Sequence, residues 1–459
     1  MKRAILLLAA ALAGGCALVG PDYKRPDTSL PAAYNEAAPE GALKVPQDWW
    51  KLYNDPVLDH LVEEGLAHNT DLFIAVARVD EAQAALREAR AILFFPPIDL
   101  NVQAARGRTT STGQLVTSSG FGVGLSTSFE LDVWGRLRRG EHSVQDQLLA
   151  SQYGRDTVSL AVAASVARAY FAVRALDAQL IASQGILEAA DQSLALAKKR
   201  AGAGIAPELD IYQAGSLRAQ SSAQASEIQR QRATFVHALG VLTGKLDLHI
   251  QPGTFTAIPI PPVTPPGLPS ELLERRPDVK QAEANLAAAT ERIGLAKGSE
   301  FPALTLTGSY GTIGSQVDQL FSTGARTWSI GAGLAGPILD GGRYRARTEQ
   351  AEAQARQAQG AYESAVRNAF RDVVDAISNV KHASDTEVDL RDLVDQSQKA
   401  LHLAELRYEH GYSAYLEVLD AQRTLNDAQL TLIRNRLALL SYTVDLMNAL
   451  GGGWAPDNS

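Results

Sequence analysis

Residues 121–133 alternate strictly. Phe121, Val123, Leu125, Thr127, Phe129, Leu131 and Val133 occupy one set of positions, and Gly122, Gly124, Ser126, Ser128, Glu130 and Asp132 the other. A period of two predicts a strand with one apolar face and one small or polar face. Ile98, Leu100, Val102 and Ala104 alternate with Asp99, Asn101 and Gln103 in the same way. Further on, Leu304 and Leu306 alternate with Thr305 and Thr307, and Trp328, Ile330, Ala332, Leu334 and Ile338 with Ser329, Gly331, Gly333 and Ala335. Four strands are expected, at about 98–108, 120–134, 302–312 and 327–340, as two hairpins with Gly/Ser/Thr loops near 109–119 and 313–326.

After each hairpin the period changes. Val162, Val166, Ala169, Val173, Leu176, Leu180, Ser183, Leu187, Ala190, Leu194, Ala197 and Ala201 are spaced alternately by four and three, as are Ala369, Val373, Ala376, Val380, Ala383, Glu387, Leu390, Val394, Ser397, Leu401, Ala404 and Tyr408. These are heptad seams, and their many Ala and Ser knobs allow close helix approach. Long helices are predicted over about 137–201 and 344–408, each near 98 Å at 1.5 Å per residue. Gly202-Ala203-Gly204 breaks the first, and return helices follow over 207–243 and 414–450. Shorter helices precede the strands, from Asp71 to Leu93 and from Asp278 to Lys297, stopped by Phe95-Pro96-Pro97 and Phe301-Pro302. The shorter helices end to end nearly match a long one, which predicts a layer of antiparallel helices.

The two sets of elements are one unit repeated at an offset of 207 residues. Asn69-Thr70-Asp71 returns as Arg276-Pro277-Asp278, Lys199-Arg200 as Leu406-Arg407, and Leu242-Thr243-Gly244 as Ala449-Leu450-Gly451. The chain divides into repeat 1 (56–251), a Pro-rich connector (252–270) expected on the surface, repeat 2 (271–452) and a tail (453–459). Residues 17–52, rich in Pro and Ala, read as an extended arm. Ahead of it, Lys2 and Arg3 precede an apolar run, Ala4 to Ala13, too short to span a bilayer. Residues 1–15 read as a signal peptide. Ala13-Gly14-Gly15-Cys16 resembles a lipoprotein cleavage box, with Leu12 four rather than three residues ahead of the Cys. Cys16 is the one cysteine, so no intrachain disulfide exists. Ala17 lacks the Asp that would hold a lipoprotein at the inner membrane, which points to the outer one.

Net charge of −8 and a pI near 5.6 give no basic footprint for nucleic acid. Only 6% of residues are aromatic, so no large aromatic core is expected. The eight His are scattered without a His-x-x-x-His pair, Gly122-x-Gly124 lies inside a strand, and the Gly240–Lys245 stretch reads as a helix C-cap. The chain is expected to be no enzyme and to need no cofactor.

The helices use their seams on one another, so the apolar strand faces have no cover within the chain. Lipid fits them, with small and polar residues inward and Phe95, Trp134, Phe301 and Trp328 near the strand ends as at membrane interfaces. A sheet in lipid must close, and four strands cannot. Two chains would give eight strands with a filled interior and three would give twelve with a pore; the polar inner faces favour the pore.

Several stretches then carry a resemblance: Val19-Gly-Pro-Asp-Tyr-Lys-Arg-Pro26 after Cys16, Glu130-Leu-Asp-Val-Trp-Gly-Arg-Leu-Arg138, Leu268 to Asp278, Gly336 to Arg343 and Arg407 to Arg423. Over nearly all of the mature chain they resemble the TolC-like outer-membrane factors of tripartite efflux systems, in the OprM-like lipoprotein branch. The resemblance implies an α+β membrane protein: a homotrimer with a twelve-stranded β-barrel in outer-membrane lipid, four strands per chain, continuous with a long periplasmic α-helical barrel. It implies a periplasmic adaptor and an inner-membrane pump of the RND type as partners. Two alternatives are a TolC-like duct for type I protein secretion and a coiled-coil lipoprotein that spaces the envelope.

The helix turns at 202–206 and 409–413 would ring the periplasmic mouth. Leu416, Asp420 and Arg423 share one helix face at i, i+4 and i+7; taken alone this is a solvated face with an i,i+3 Asp–Arg pair. The resemblance places constricting rings at Leu416 and Asp420. Copy one has Leu209, Gln213 and Ser216 at these positions, which makes the copy-two hairpin the moving one. Arg407 and Tyr408 are expected to hold neighbouring hairpins closed, and Gly204 and Gly411 to meet the adaptor.

Overall fold

A computed structural model describes residues 18–28, 30–31, 33–34, 45–111, 114–262 and 271–454. The expected signal peptide and Cys16 lie outside the described residues, as do positions 112–113, 263–270 of the connector and 455–459 of the tail.

A 3-10 turn, Trp49–Tyr53, and helix α1, Pro56–His68, come first. Copy one then supplies α2 (Thr70–Phe94), β1 (Asp99–Ser111), β2 (Gln114–Leu131), α3 (Arg136–Gly202) and α4 (Glu208–Thr243). Copy two supplies α5 (Pro277–Gly298), β3 (Ala303–Gly314), β4 (Arg326–Ala335), α6 (Arg343–Glu409) and α7 (Tyr415–Ala449). The strands make one antiparallel sheet in the order β1-β2-β3-β4. Register partners Leu100–Leu125, Leu125–Tyr310 and Tyr310–Trp328 form an apolar row across all four strands. Leu100 is 68% and Trp328 73% exposed, so no described part of the chain covers this face. The other face is polar: Asn101 Nδ2 donates to Ser126 Oγ at 2.7 Å, and Ser309 Oγ and Ser329 Oγ share a hydrogen bond of 2.8 Å.

Three details depart from the sequence expectation. The Gly/Ser/Thr stretch at 109–119 is mostly strand, because β1 and β2 stay paired from Asp99–Ser126 to Ser111–Gln114 and satisfy its backbone groups. β4 ends at Ala335, leaving Ile338 beyond it and fully exposed. The loop between β3 and β4 holds two 3-10 turns, Asp318–Phe321 and Thr323–Ala325.

The chain forms two compact units, each drawn from both copies. The first (up to Asp27, Ala77–Gln152, Gln281–Ser364) contains the sheet and a small core of Ala289, Ile293, Ala351 and Ala355. Each strand-to-helix turn there is closed by a carboxylate. Asp132 accepts from the backbone N–H of Leu137 and Arg138 at 2.9 and 3.0 Å, and Asp340 from those of Gly342 and Tyr344 at 3.0 and 2.8 Å.

The second unit (Thr28–Val76, Tyr153–Lys280, Ala365–Ser459) contains the large core. It is aromatic, contrary to expectation from composition: Trp49, Trp50, Tyr53, Tyr170, Phe171 and Phe255 join one cluster with aliphatic side chains of α1, α3, α4 and α7. Few aromatics suffice when they gather at one place. Trp49 and Trp50, expected in an extended arm, are thus core. The connector also contributes, with Phe255 and Ile258 almost fully buried, so its described part is no plain surface loop. The heptad seams are buried or half-buried throughout. Glu387, the one charged knob, accepts from Arg391 and Arg436 at 2.5 and 2.9 Å, which satisfies its charge.

The repeat extends to single bonds. Asn69 Nδ2 donates to the Leu242 carbonyl at 3.0 Å, and 207 residues on Arg276 Nη1 donates to the Ala449 carbonyl at 3.3 Å. The same joint between helix start and helix end is made by different side chains. Asn69 Oδ1 also caps α2 by accepting from Asp71 and Leu72 N–H. Arg276 instead pairs with Asp278 and Asp372.

Candidate gate at the helix tips

Both long helices end in the same way. Gly204 N–H donates to Ala201 O and Ile205 N–H to Arg200 O; Gly411 N–H donates to Tyr408 O and Tyr412 N–H to Arg407 O. Gly204 and Gly411 have φ of +70° and +78°. This paired 6→1 and 5→2 closure needs a left-handed residue, which glycine adopts without steric penalty. The chain then turns into α4 and α7 through extended residues Pro207 and Ala414. No atom lies within 4 Å of where a Cβ on either glycine would sit. The turns are open surface, and Ile205, Leu209, Tyr412 and Leu416 beside them are each at least 60% exposed.

Behind the turns the two hairpins meet in a core of small and apolar residues, with Tyr408 and Tyr415 inside it, ring centroids 5.4 Å apart. Tyr408 OH donates to Asp210 Oδ2 on α4 at 3.3 Å. The Arg200 guanidinium lies 4.6 Å over the Tyr408 ring and donates from Nη1 to the Tyr408 and Glu409 carbonyls at 3.0 and 3.2 Å. It thereby caps the negative end of α6 from α3. Gln422 Nε2 donates to Ser193 Oγ at 3.3 Å, a further bond between hairpins. Burial, and then the Asp210 carboxylate, raises the Tyr408 phenol; burial likewise raises Tyr415 and Glu405. Glu405, Tyr408, Tyr415 and Ser193 line a cavity of about 170 Å³.

The predicted residues fall into separate groups. Tyr408 is buried and joins copy two to copy one within the chain. Arg407 is exposed and reaches Glu417 of its own hairpin at 3.6 Å. Leu416, Asp420 and Arg423 lie together on an exposed face of α7. The i,i+3 pair does not form, and among the described residues neither Asp420 nor Arg423 has an ion-pair partner within 4 Å. Arg200, Asp210 and Tyr415 were missed. The repeat held a signal for the first, since Arg200 stands 207 residues before Arg407. Among the described residues no three His, Cys, Asp or Glu side chains converge to hold a metal ion.

A family model described as "Outer membrane efflux protein" matches this chain twice, over residues 61–245 and 268–452. Both boundaries of the second match are displaced by the repeat offset. The chain belongs to the outer membrane efflux protein family. Its relatives in that family include the solvent efflux pump outer membrane protein SrpC of Pseudomonas putida, 33% identical over 99% of this chain and 98% of the relative. Another is the outer membrane protein OprJ of Pseudomonas aeruginosa, 35% identical over 98% and 95%. Among solved structures, the outer-membrane channel OprN is 30% identical over 96% of this chain and all of that one, with a TM-score of 0.88. The open state of the Neisseria gonorrhoeae MtrE outer membrane channel is 28% identical over the same shares, with a TM-score of 0.86. The fold is that of the outer-membrane efflux channels.

Proposed function

We propose that three copies of this outer membrane efflux protein close their four-stranded sheets into one twelve-stranded barrel and form the passive exit duct of a tripartite efflux system. The observation that carries this is the sheet itself. Its apolar row is uncovered from Leu100 to Trp328, and among the described residues the outer edges of β1 and β4 have no strand partner. Lipid on one side and a second copy at each edge satisfy both demands. The names of the relatives support small molecules as cargo, solvents and antibiotics among them. The chain works with a periplasmic adaptor and an inner-membrane pump of the RND type. A duct needs no catalytic residue, and selection of cargo belongs to the pump. Acylation of Cys16 adds an anchor in outer-membrane lipid.

The tip is the gate in this reading. Leu416 from three chains narrows the mouth. Asp420, unpaired and exposed, forms a ring of three carboxylates that repel one another and bind cations. Arg423 lies one turn behind. Tyr408 and Arg407 hold the copy-two hairpin, and adaptor contact at the open turns of Gly204 and Gly411 releases it. Asp420→Ala in planar bilayers is expected to raise conductance and remove block by divalent cations. Unchanged conductance together with unchanged block would refute the gate. A deletion strain that keeps its full resistance to drugs and solvents would refute the duct.

A further inference from the structure

Residues 18–25 lie in a seat built from both copies. Arg139, near the start of α3, is only 2% exposed and spends its guanidinium on this segment and on α5. Nη1 donates to both carboxylate oxygens of Glu291 at 3.0 Å, Nη2 to Asp22 Oδ1 at 2.9 Å and to Gly20 O at 3.4 Å, and Nε to Val19 O at 3.2 Å. Val19 N–H donates to Trp134 O at 3.2 Å, where β2 passes into α3. Gly20, with φ of +103°, is pressed on Gly294 of α5, and a Cβ on it would stand 2.5 Å from Gly294 Cα. Further along, Tyr23 OH and the Arg25 guanidinium both donate to Glu283.

A buried arginine that reads two backbone carbonyls and a carboxylate, beside a glycine-to-glycine contact, has the features of a peptide-binding site. We propose that Arg139, Glu291 and Gly294 form a receptor for the chain's own segment Leu18–Asp22, and that it pins the start of the mature chain to the strand-to-helix junction. The place related to it by the repeat lacks this receptor: the position matching Arg139 is Ala346, and those matching Glu291 and Gly294 are Ala84 and Arg87. One seat per chain is the result, for the one N-terminus. Since Arg139 belongs to copy one and Glu291 to copy two, the segment docks only after both have folded.

The junction is also where Trp134 stacks on Phe301, at the strand ends. Acylation of Cys16, two residues ahead of Leu18 in the sequence, would add a lipid tether to the docked segment; that addition rests on the acylation reading above, and the docking does not.

Trypsin treatment of full-length trimers in detergent tests both. The bond after Lys24 lies between two residues held by Glu283. Asp22→Ala and Gly20→Val alter the segment and leave the receptor intact. Each is expected to speed cleavage after Lys24 about tenfold, the cleavage rate following the fraction of time the segment is undocked. Trimer stability to heat and conductance should stay at wild-type values. Cleavage at the wild-type rate in both variants would overturn the receptor, as would wild-type cleavage as fast as that of the denatured chain. Should Gly20→Val fail to fold, Asp22→Ala alone decides. The mass of the released N-terminal peptide reports acylation independently of the rate.

Discussion

Arg200 holds the end of the opposite long helix: it covers the Tyr408 ring at 4.6 Å and donates to the Tyr408 carbonyl at 3.0 Å. One side chain of copy one therefore caps the helix of copy two at the candidate gate. Its counterpart Arg407 reaches only Glu417, at 3.6 Å, and both are more than half exposed. Within the chain, the contacts of the two arginines are asymmetric.

Arg200→Ala is therefore expected to open the tip more than Arg407→Ala. Tyr408→Phe removes one hydrogen bond, of about 1 kcal/mol, and should raise the open population about fivefold. Arg200→Ala removes two hydrogen bonds and the ring contact, and should exceed that. Single-channel recording in planar bilayers measures both. A larger effect from Arg407→Ala would show that the main lock lies elsewhere.

Asp146 gives the first unit a pH dependence. Burial, and then the Glu291 carboxylate, pushes it up to about 6, while His142 acts the other way. A carboxyl raised in the fold favours the folded state most when protonated, below its ordinary value near 4, and that contribution is lost as pH rises through about 6. Asp146→Asn should thus stabilise at pH 7.5 by about 1–2 kcal/mol, discounted because the group is half exposed. The gain should vanish near pH 4. Thermal unfolding at the two pH values reads this out, and an equal gain at both would contradict it.

The repeated joint should be unequal in strength. Asn69→Ala removes a helix cap and one bond to Leu242, about 1–2 kcal/mol. Arg276→Ala leaves Asp278 without its cation and Asp372 with Arg371 alone, and should remove about 2–3 kcal/mol. Denaturant midpoints compare them. Equal losses would mean that water satisfies Asp278, and Arg371 satisfies Asp372, without Arg276.

For the sheet, Leu125→Arg places a charge in the apolar row and should destabilise the inserted trimer by about 2–4 kcal/mol. Ser126→Arg, one residue on, faces the other side and should leave trimers intact while altering conductance. The yield of heat-modifiable trimer in outer-membrane fractions decides. If Ser126→Arg abolishes trimers and Leu125→Arg spares them, the two faces are assigned the wrong way round.

What could be read from the sequence was whatever repeats along it. The alternation at Phe121–Val133 and the seam from Val162 to Ala201 are periodic, and each found its strand or helix. Leu416, Asp420 and Arg423 share one exposed stripe of α7, as their i, i+4, i+7 spacing requires. Arg200 over Tyr408 was hidden because its partner is remote in sequence and its main bonds go to backbone carbonyls, which no residue type announces. The aromatic core was hidden because composition averages over position, while Trp49, Tyr53, Phe171 and Phe255 converge from separate segments. Phe255 and Ile258 were masked by the prolines around them. At 109–119, Gly, Ser and Thr read as loop, although a neighbouring strand supplies all the pairing they need.

The central pair of the sheet sets a schedule for biogenesis. Leu131 at the end of β2 faces Leu304 at the start of β3, yet α3, α4, the connector and α5 are all synthesised between them. A chain crossing into the periplasm carries its first hairpin, greasy on one side and unpaired along both margins, for the whole of that interval. Non-local pairing of this kind is slow and prone to aggregation. The topology therefore builds into every round of synthesis an interval during which the first hairpin exists without the strand that completes it.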